Sequence, residues 1–452
     1  MIDKVLEYSD YHNMLPDSGI VLVCVSGGAD SMCLLEVMRH ISYERGFSVA
    51  VAHFNHKLRG AESDRDMNFV SEYCNQCGVS FYLGEGDVAA YAKNNGLSIE
   101  EAARDLRYDF FYDLAENIGA QRIATAHNAD DNTETIIINL TRGAGANGLS
   151  GIPPVREQVI RPMLGVPRDE IIEFLSERGI SFVEDSTNAI DIYTRNKVRH
   201  HVIPILKELN PRLNEAAATT VELMRADEEM LSDLADLFIS DLCIGLMANT
   251  EDLLNLPFSV SSRVIRKLYG GNLSFRHVKS VLELCGNSNP SSKISLPKMI
   301  VYKDYDRIVF EPQQEARLEG FAQLFPSDGD SAIILSAGLK MSCKSVVFSE
   351  EMVNFNKTFT TFLFKSIDIY GKITVRPRRE GDKLRLIGQD VTKTLKKLFI
   401  ERRIPARKRS FVPVIADSKG VLAVYGLGRS ERAVPVSGDM ALQIDFEEIN
   451  PN

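Results

Sequence analysis

Residues 26–31 read Ser-Gly-Gly-Ala-Asp-Ser, directly behind the apolar run GIVLVCV. Gly27 and Gly28 let the backbone turn sharply and approach a ligand with no Cβ in the way. Free N–H groups at the start of a following helix attract anions. With the amides of Ala29 to Ser31 and the hydroxyls of Ser26 and Ser31, the stretch suits a phosphate. Asp30 repels a phosphate by itself. It fits if Mg²⁺ stands between them, which makes it the candidate metal ligand, or if it caps the helix start. No Gly-Lys-Ser/Thr follows, so this is not a Walker loop, and the three-glycine dinucleotide fingerprint is missing too. The plain alternative is a tight βα turn.

A second constellation, TAHNADDNTET at 125–135, carries His127, Asp130, Asp131 and Glu134. Asp130 and Glu134 are four apart and share a helix face. An acidic pair beside a triphosphate calls for a cation, either Mg²⁺ or a cationic substrate. For Asp131 alone, an acidic first turn that complements the helix dipole is enough. Arg104 lies off the apolar stripe of its segment, where most arginines are merely solvated. Arg195, Asn196 and Arg199 read either as a phosphate-contacting helix start or as a surface cluster. His53 and His56 read as polar residues of the second crossover loop rather than as a base or metal ligands. Asp185 and Asn188 can simply organise a turn.

These residues need a scaffold, and the first 185 or so positions supply its signals. Strand patterns at 19–26, 47–54, 79–85, 121–127 and 159–164 alternate with helical patterns near 30–44, 63–78, 98–119 and 130–142. In the third helix, Ser98 and Glu101 form a capping box, and Ile99, Ala102, Leu106, Phe110 and Leu114 keep the helical period. Repeated βα units with apolar strands predict an α/β fold with a doubly wound parallel sheet. In a 3-2-1-4-5 strand order the first and fourth strands are neighbours, so the loops holding Asp30 and Asp130 border one crevice. Residues 213–287 read as mainly helical and the stretch from about 291 as β-rich; a small α+β unit follows. The expected division is therefore 1–212, 213–365 and 366–452.

Composition narrows the classes. The 452 residues hold 52 Lys/Arg against 62 Asp/Glu, a net charge of −10. Between Lys372 and Arg409, however, 14 basic residues face four acids, a local +10 that leaves −20 elsewhere. That segregation fits one basic, nucleic-acid-facing surface, or else a solvated face. Seven thinly spread cysteines argue against a disulfide framework and for a reducing cytosol. Cys74 and Cys77 are the one close pair, and helical packing explains them more simply than redox or metal chemistry. The start MIDKVLEYSDYHNM lacks the order of a signal peptide. No apolar run reaches the ~18 residues of a membrane span. A cytoplasmic protein without membrane contact is expected.

The loop at 26–31 resembles the pyrophosphate loop of the ATP pyrophosphatase superfamily, which splits ATP between its α- and β-phosphates. HFNHKLRG, SIEEAARDLRYDFF, TAHNADDNTETIIINLTRGAGANGLSGI, RPML, EDSTN and TRNKVRHHVIP then occur in the order expected of the tRNA(Ile)-lysidine synthetases, densely over about 15–205. The likeness resumes at VRPRREGDKLR and TKTLKKLFIERRIP, which is similar to that family's third domain.

The resemblance implies an enzyme that uses ATP and Mg²⁺ to join free L-lysine to C2 of the wobble cytidine of a CAU-anticodon isoleucine tRNA. An adenylated cytosine is the intermediate, and pyrophosphate and AMP leave. It implies ATP binding by Ser26 to Ser31, His53 and His127, and catalysis by Asp130, Glu134, Arg104 and Arg195, with one of the two carboxylates doubling as base. Arg199, Arg376, Arg378, Arg379, Lys383, Lys396, Lys397, Arg402 and Arg403 would meet the tRNA. The oligomeric state is left open, a homodimer included. The nearest rival is a tRNA 2-thiolase, disfavoured because no cysteine adjoins TAHNADD. A small-molecule amidotransferase-type synthetase lacks a use for the basic C-terminal unit. A non-catalytic ATP- or RNA-binding protein has none for Asp130 with Glu134.

Overall fold

The computed structural model describes residues 1–57, 60–184, 194–313, 321–334, 338–355 and 359–449. The chain forms two compact units, Met1–Met230 and Leu231–Asn452.

The first unit runs α1 (Ile2–Tyr11), β1 (Ile20–Cys24), α2 (Ala29–Arg45), β2 (Ser48–Asn55), α3 (Ala61–Cys77), β3 (Ser80–Glu85), α4 (Val88–Asn95), α5 (Ile99–Ile118), β4 (Ala120–Ala124) and α6 (Ala129–Thr141). Short elements follow: α7 (Ala146–Leu149), β5 (Val155–Arg156), β6 (Val159–Ile160), α8 (Arg168–Glu177), α9 (Thr194–Lys197) and α10 (Ile203–Leu209). Helix α11 spans Leu213–Leu242. The sheet order is β3-β2-β1-β4-β6-β5, parallel except for β5. Strand order therefore reverses between β1 and β4, which are paired from Ile20 to Val23.

Strand β1 alternates between two cores because both sheet faces are covered. Val21 and Val23 pack with α2 residues such as Met32 and Leu35, whereas Leu22 packs with Phe111, Leu114 and Ala115 of α5. The predicted capping box of α5 forms, Ser98 accepting from the Glu101 N–H and Glu101 from the Ser98 N–H. One predicted strand is shorter than expected: 159–164 gives only Val159–Ile160. Pro162 has no N–H to continue the ladder. The helices at 2–11, 88–95 and 168–177 were not predicted.

The second unit combines α12 (Thr250–Asn255), α13 (Phe258–Tyr269) and α14 (Phe275–Gly286) with a sheet of β7 (Met247–Asn249), β8 (Lys293–Leu296), β9 (Met299–Asp304) and β10 (Arg307–Pro312). Next come β11 (Ser331–Ile334), β12 (Leu339–Val347), β13 (Thr361–Lys365), β14 (Thr374–Arg376), β15 (Lys383–Leu384), β16 (Lys393–Thr394), α15 (Leu395–Glu401), β17 (Val414–Asp417), β18 (Gly420–Val424), β19 (Gly428–Arg429) and β20 (Met440–Glu448). Strand β20 lies between β12 and β13. The boundary expected at 366 thus runs through a sheet, because a strand's partner 100 residues away leaves no local mark in sequence.

Candidate active site

The phosphate-loop candidate closes on itself. The Ser26 N–H donates to Ser31 Oγ at 3.1 Å, and Ser31 Oγ donates to the Gly28 carbonyl at 2.9 Å. Gly27 has φ +93°, a conformation that L side chains rarely adopt. Gly28 is the N-cap of α2 and offers no side-chain cap, so the first-turn amides are free for a ligand.

The loop at 125–134 does meet 26–31. Asn128 Nδ2 donates to Asp30 Oδ1 at 3.1 Å. Asn128 is also the N-cap of α6, in a capping box with Asp131 that fixes the helix start. Asp30 Oδ2 accepts from Arg168 Nη1 at 2.5 Å. Burial pushes the Asp30 carboxyl up, against the pull of Arg168.

Behind Asp131 lies an ion-pair cluster. Glu134 is 1% exposed. It accepts from Arg195 Nε at 2.8 Å, Arg199 Nε at 2.6 Å and Arg199 Nη2 at 3.1 Å. Arg199 Nη2 also donates to Asp131 Oδ1 at 3.1 Å. Asp130 is held differently: Lys207 Nζ donates to Oδ1 at 2.8 Å and the Arg168 N–H to Oδ2 at 2.9 Å. The expected pair Asp130/Glu134 is therefore already engaged by cations of the chain itself. Asp131, one residue on, is the α6 acid that stands on the cleft wall.

That cleft encloses about 420 Å³. Ser26, Gly28, Asp30 and Ser31 line it with His53, His127, Asp131 and Arg195, and Arg107, Tyr108 and Phe111 of α5 complete it. His53 is buried, and its Nδ1 donates to the Val25 carbonyl at 2.8 Å, which leaves Nε2 as an acceptor. Burial, reinforced by nearby arginines, pushes His127 down to about 3, so its imidazole is neutral. Arg104 is exposed and stacks on the Tyr108 ring with its guanidinium carbon 4.9 Å from the centroid. Arg107, Tyr108, Arg168 and Lys207 were not singled out from sequence; only the first two carried a signal, as neighbours of Arg104 on one helix.

Among the described residues no group of three or more His, Cys, Asp or Glu side chains could hold a metal. Asp30 and Asp131 on one wall are instead the sparse donor set that suits a Mg²⁺ bound mainly by phosphates. All seven cysteines are free. Burial pushes the Cys74 thiol up to about 11, so the Cys74/Cys77 pair is not poised for redox chemistry. Asp185 and Asn188 lie outside the described residues.

In the C-terminal region Lys383, Lys396, Lys397, Arg402 and Arg403 are exposed. Arg379 is exposed as well and donates to Gln323 at 2.5 Å, and Arg378 is half-buried. Arg376 departs from the expectation of a phosphate contact. It is 7% exposed and grips Asp382 with both nitrogens, at 2.8 and 2.9 Å. A guanidinium spent on a buried bidentate pair is structural.

A glycine-rich anion loop at the switch point of a parallel sheet, facing acids on the neighbouring strand's loop, defines a nucleotide-binding α/β protein of the pyrophosphate-loop kind. The sequence matches the PP-loop domain family over residues 4–206 and the TilS substrate C-terminal domain family over 373–444. It is similar to the tRNA(Ile)-lysidine synthase of Geobacillus kaustophilus, with 35% identity over 95% of each chain. The synthases of Clostridioides difficile, at 31% over 99% of this chain and 100% of that one, and Bacillus subtilis, at 31% over 97% of each, are similar too. The chain belongs to the tRNA(Ile)-lysidine synthase family.

Proposed function

We propose that this protein makes lysidine on a CAU-anticodon isoleucine tRNA. The cytosine O2 attacks the α-phosphorus of ATP and pyrophosphate leaves; the ε-amine of free lysine then attacks C2, loses its extra proton, and AMP leaves. The observation that carries this reading is the meeting of the 26–31 loop and the α6 acids over one cleft, through Asn128 and Asp30.

The free amides of α2 suit the pyrophosphate, and Asp30 with Asp131 suits Mg²⁺ arriving with ATP, which would neutralise phosphate charge. The bare Nε2 of His53 can accept from an adenine amino group. Lysine must bind as a cation yet react as a neutral amine, of which only about one molecule in 10³ exists at pH 7. Of the α6 carboxylates Asp131 is the one on the cleft wall and at hand to take the proton, with Asp130 and Glu134 held by Lys207 and the arginines. Arg195, on the cleft wall, is positioned by Glu134 to oppose negative charge on the base and phosphate. The exposed lysines and arginines of 378–403 face the tRNA body. Among the described residues no helix is long and apolar enough to cross a membrane, and a cytoplasmic site of action fits the substrate. Sulfur transfer is not favoured: Cys24 is the one cysteine on the wall, and burial raises its thiol far above neutrality.

The test is incubation with ATP, Mg²⁺, labelled lysine and unmodified tRNA. Label joined to tRNA with AMP release is expected. AMP formed without tRNA, or no lysine-dependent labelling, refutes the proposal.

A further inference from the structure

The cleft wall carries charges of both signs. The phosphate loop leads into α2 on one face, and Asp30, Asp66 and Asp131 stand on the cleft wall. From the other face α5 brings Arg107 and Tyr108 to the same cleft. The acids Asp30, Asp131 and Glu134 have arginine partners within the chain. The arginines around α5 do not: no ion pair of the described residues includes Arg104, Arg107 or Arg161.

Arg161, just past β6, is 3% exposed. Its Nη1 donates to the Pro153 carbonyl at 2.6 Å, while its Nε is buried with no partner. Arg104 and Arg107 lie over the Tyr108 ring, 4.9 and 5.9 Å from its centroid. Arg161 does not line the cleft, and burial lowers both Arg161 and Arg107 from the usual arginine value. The half-buried guanidinium of Arg107, with that of Arg104 over the same ring and no counter-charge on either, is costly unless an anion completes it.

The polyphosphate of ATP has its own place, at the amides of α2 on the other face. Lysine brings a single carboxylate. The RNA brings a phosphodiester on each side of the cytosine that must reach the cleft, and an unstacked base needs an aromatic face of the kind Tyr108 and Phe111 present. We propose that Arg104 and Arg107 form a subsite for the RNA backbone phosphodiester next to the reacting cytidine, with Tyr108 as the aromatic wall beside it. This deepens the lysidine reading and rests on it for the identity of the base.

The probe is a CAU anticodon stem–loop RNA, bound to the full chain in the presence of a non-hydrolysable ATP analogue and followed by fluorescence anisotropy. Neutral methylphosphonates replace the two phosphodiesters flanking the cytidine. Wild-type affinity should fall about tenfold, as removal of a charge-assisted hydrogen bond predicts. The salt slope should fall by roughly 0.7 for each bound phosphate that is made neutral. Arg107→Ala should lose the same factor on unmodified RNA and nothing further on the methylphosphonate, with Arg107→Lys between. The modified RNA tests the wild-type chain with no mutation, so a folding defect cannot imitate its result. Unchanged wild-type affinity for the methylphosphonate, or losses that add in full, overturn the proposal. So does a variant that raises the KM for lysine alone, which assigns the arginines to its carboxylate, or one that weakens only the ATP analogue. If these RNA effects appear while wild type transfers no lysine, the reaction assignment fails and the subsite stands.

Discussion

Glu134→Gln is the most informative single substitution, because it separates two roles for one carboxylate. Gln keeps the shape but removes the charge, and its amide can offer only one oxygen to the three nitrogen contacts from Arg195 and Arg199. Each charge-assisted bond to a buried carboxylate contributes about 1.5–3 kcal/mol net. The arginine side chains are 42% and 31% exposed, so water takes over part of what they lose. A net destabilisation of about 2–4 kcal/mol follows, at or below the ~3–5 kcal/mol for breaking a fully buried pair. At about 2–4 °C per kcal/mol, the melting of the first unit should drop by several degrees or more. Arg195 also loses its anchor on the cleft wall, and turnover should fall about 10²-fold, as when one transition-state donor is removed. The assay pairs thermal or urea unfolding with labelled-lysine transfer, measured with ATP, lysine and tRNA each varied. Wild-type stability within ~0.5 kcal/mol would refute the anchoring argument. Unchanged stability with a raised KM for lysine alone would make Glu134 an ammonium receptor instead.

Gly27→Ala forces a side chain into φ +93° and brings a Cβ to 3.4 Å from Val70, so strain of about 1–3 kcal/mol should weaken ATP binding in calorimetry while tRNA affinity is kept. Asp130→Asn releases Lys207 and loosens Arg168; lysine transfer should be lost with tRNA affinity nearly intact, and equal loss of both would mark a folding defect. Arg376→Ala leaves Asp382 with the Arg379 N–H but no bidentate partner and should cost about 3 kcal/mol in urea unfolding, whereas Arg402→Ala should leave stability alone and lower the salt dependence of tRNA binding. Burial pushes the Asp382 carboxyl up, but the contacts from Arg376 and Arg379 outweigh it, so the folded group sits below its ordinary value. The unfolded chain then takes up that proton first: the stabilisation is present above about pH 3.9 and is lost as pH falls below it, a limb that acid titration should show weakened in Arg376→Ala, where only the Arg379 contact remains. His127, held neutral down to about 3, should show no imidazole titration by NMR between about pH 5 and 8.

The parts of this site that were legible in sequence are those whose causes are local. The apolar strand before Ser26, the glycines, and the Ser98–Glu101 capping box each act within a few residues, and each formed as read. The strand order also followed, because repeated βα units leave few arrangements once crossovers must be right-handed. The distinction between Asp130 and Asp131 was not read, although a signal existed. Asn128 and Asp131 stand three apart in a capping-box spacing, which fixes the first turn of α6 and hence which carboxylate reaches the cleft. Arg168 and Lys207 gave no signal at all. They reach Asp30 and Asp130 across 138 and 77 residues, and each looks locally like an ordinary exposed cation on a short helix. Arg376 failed in the opposite sense: within a run of basic residues nothing marks the one whose strand, β14, turns it toward Asp382. Charge type is written in the sequence, but partner choice is made by the fold. The acids read as free for substrate proved to be paired, while Arg107, passed over as local chemistry, is the cation of the cleft wall left without counter-charge.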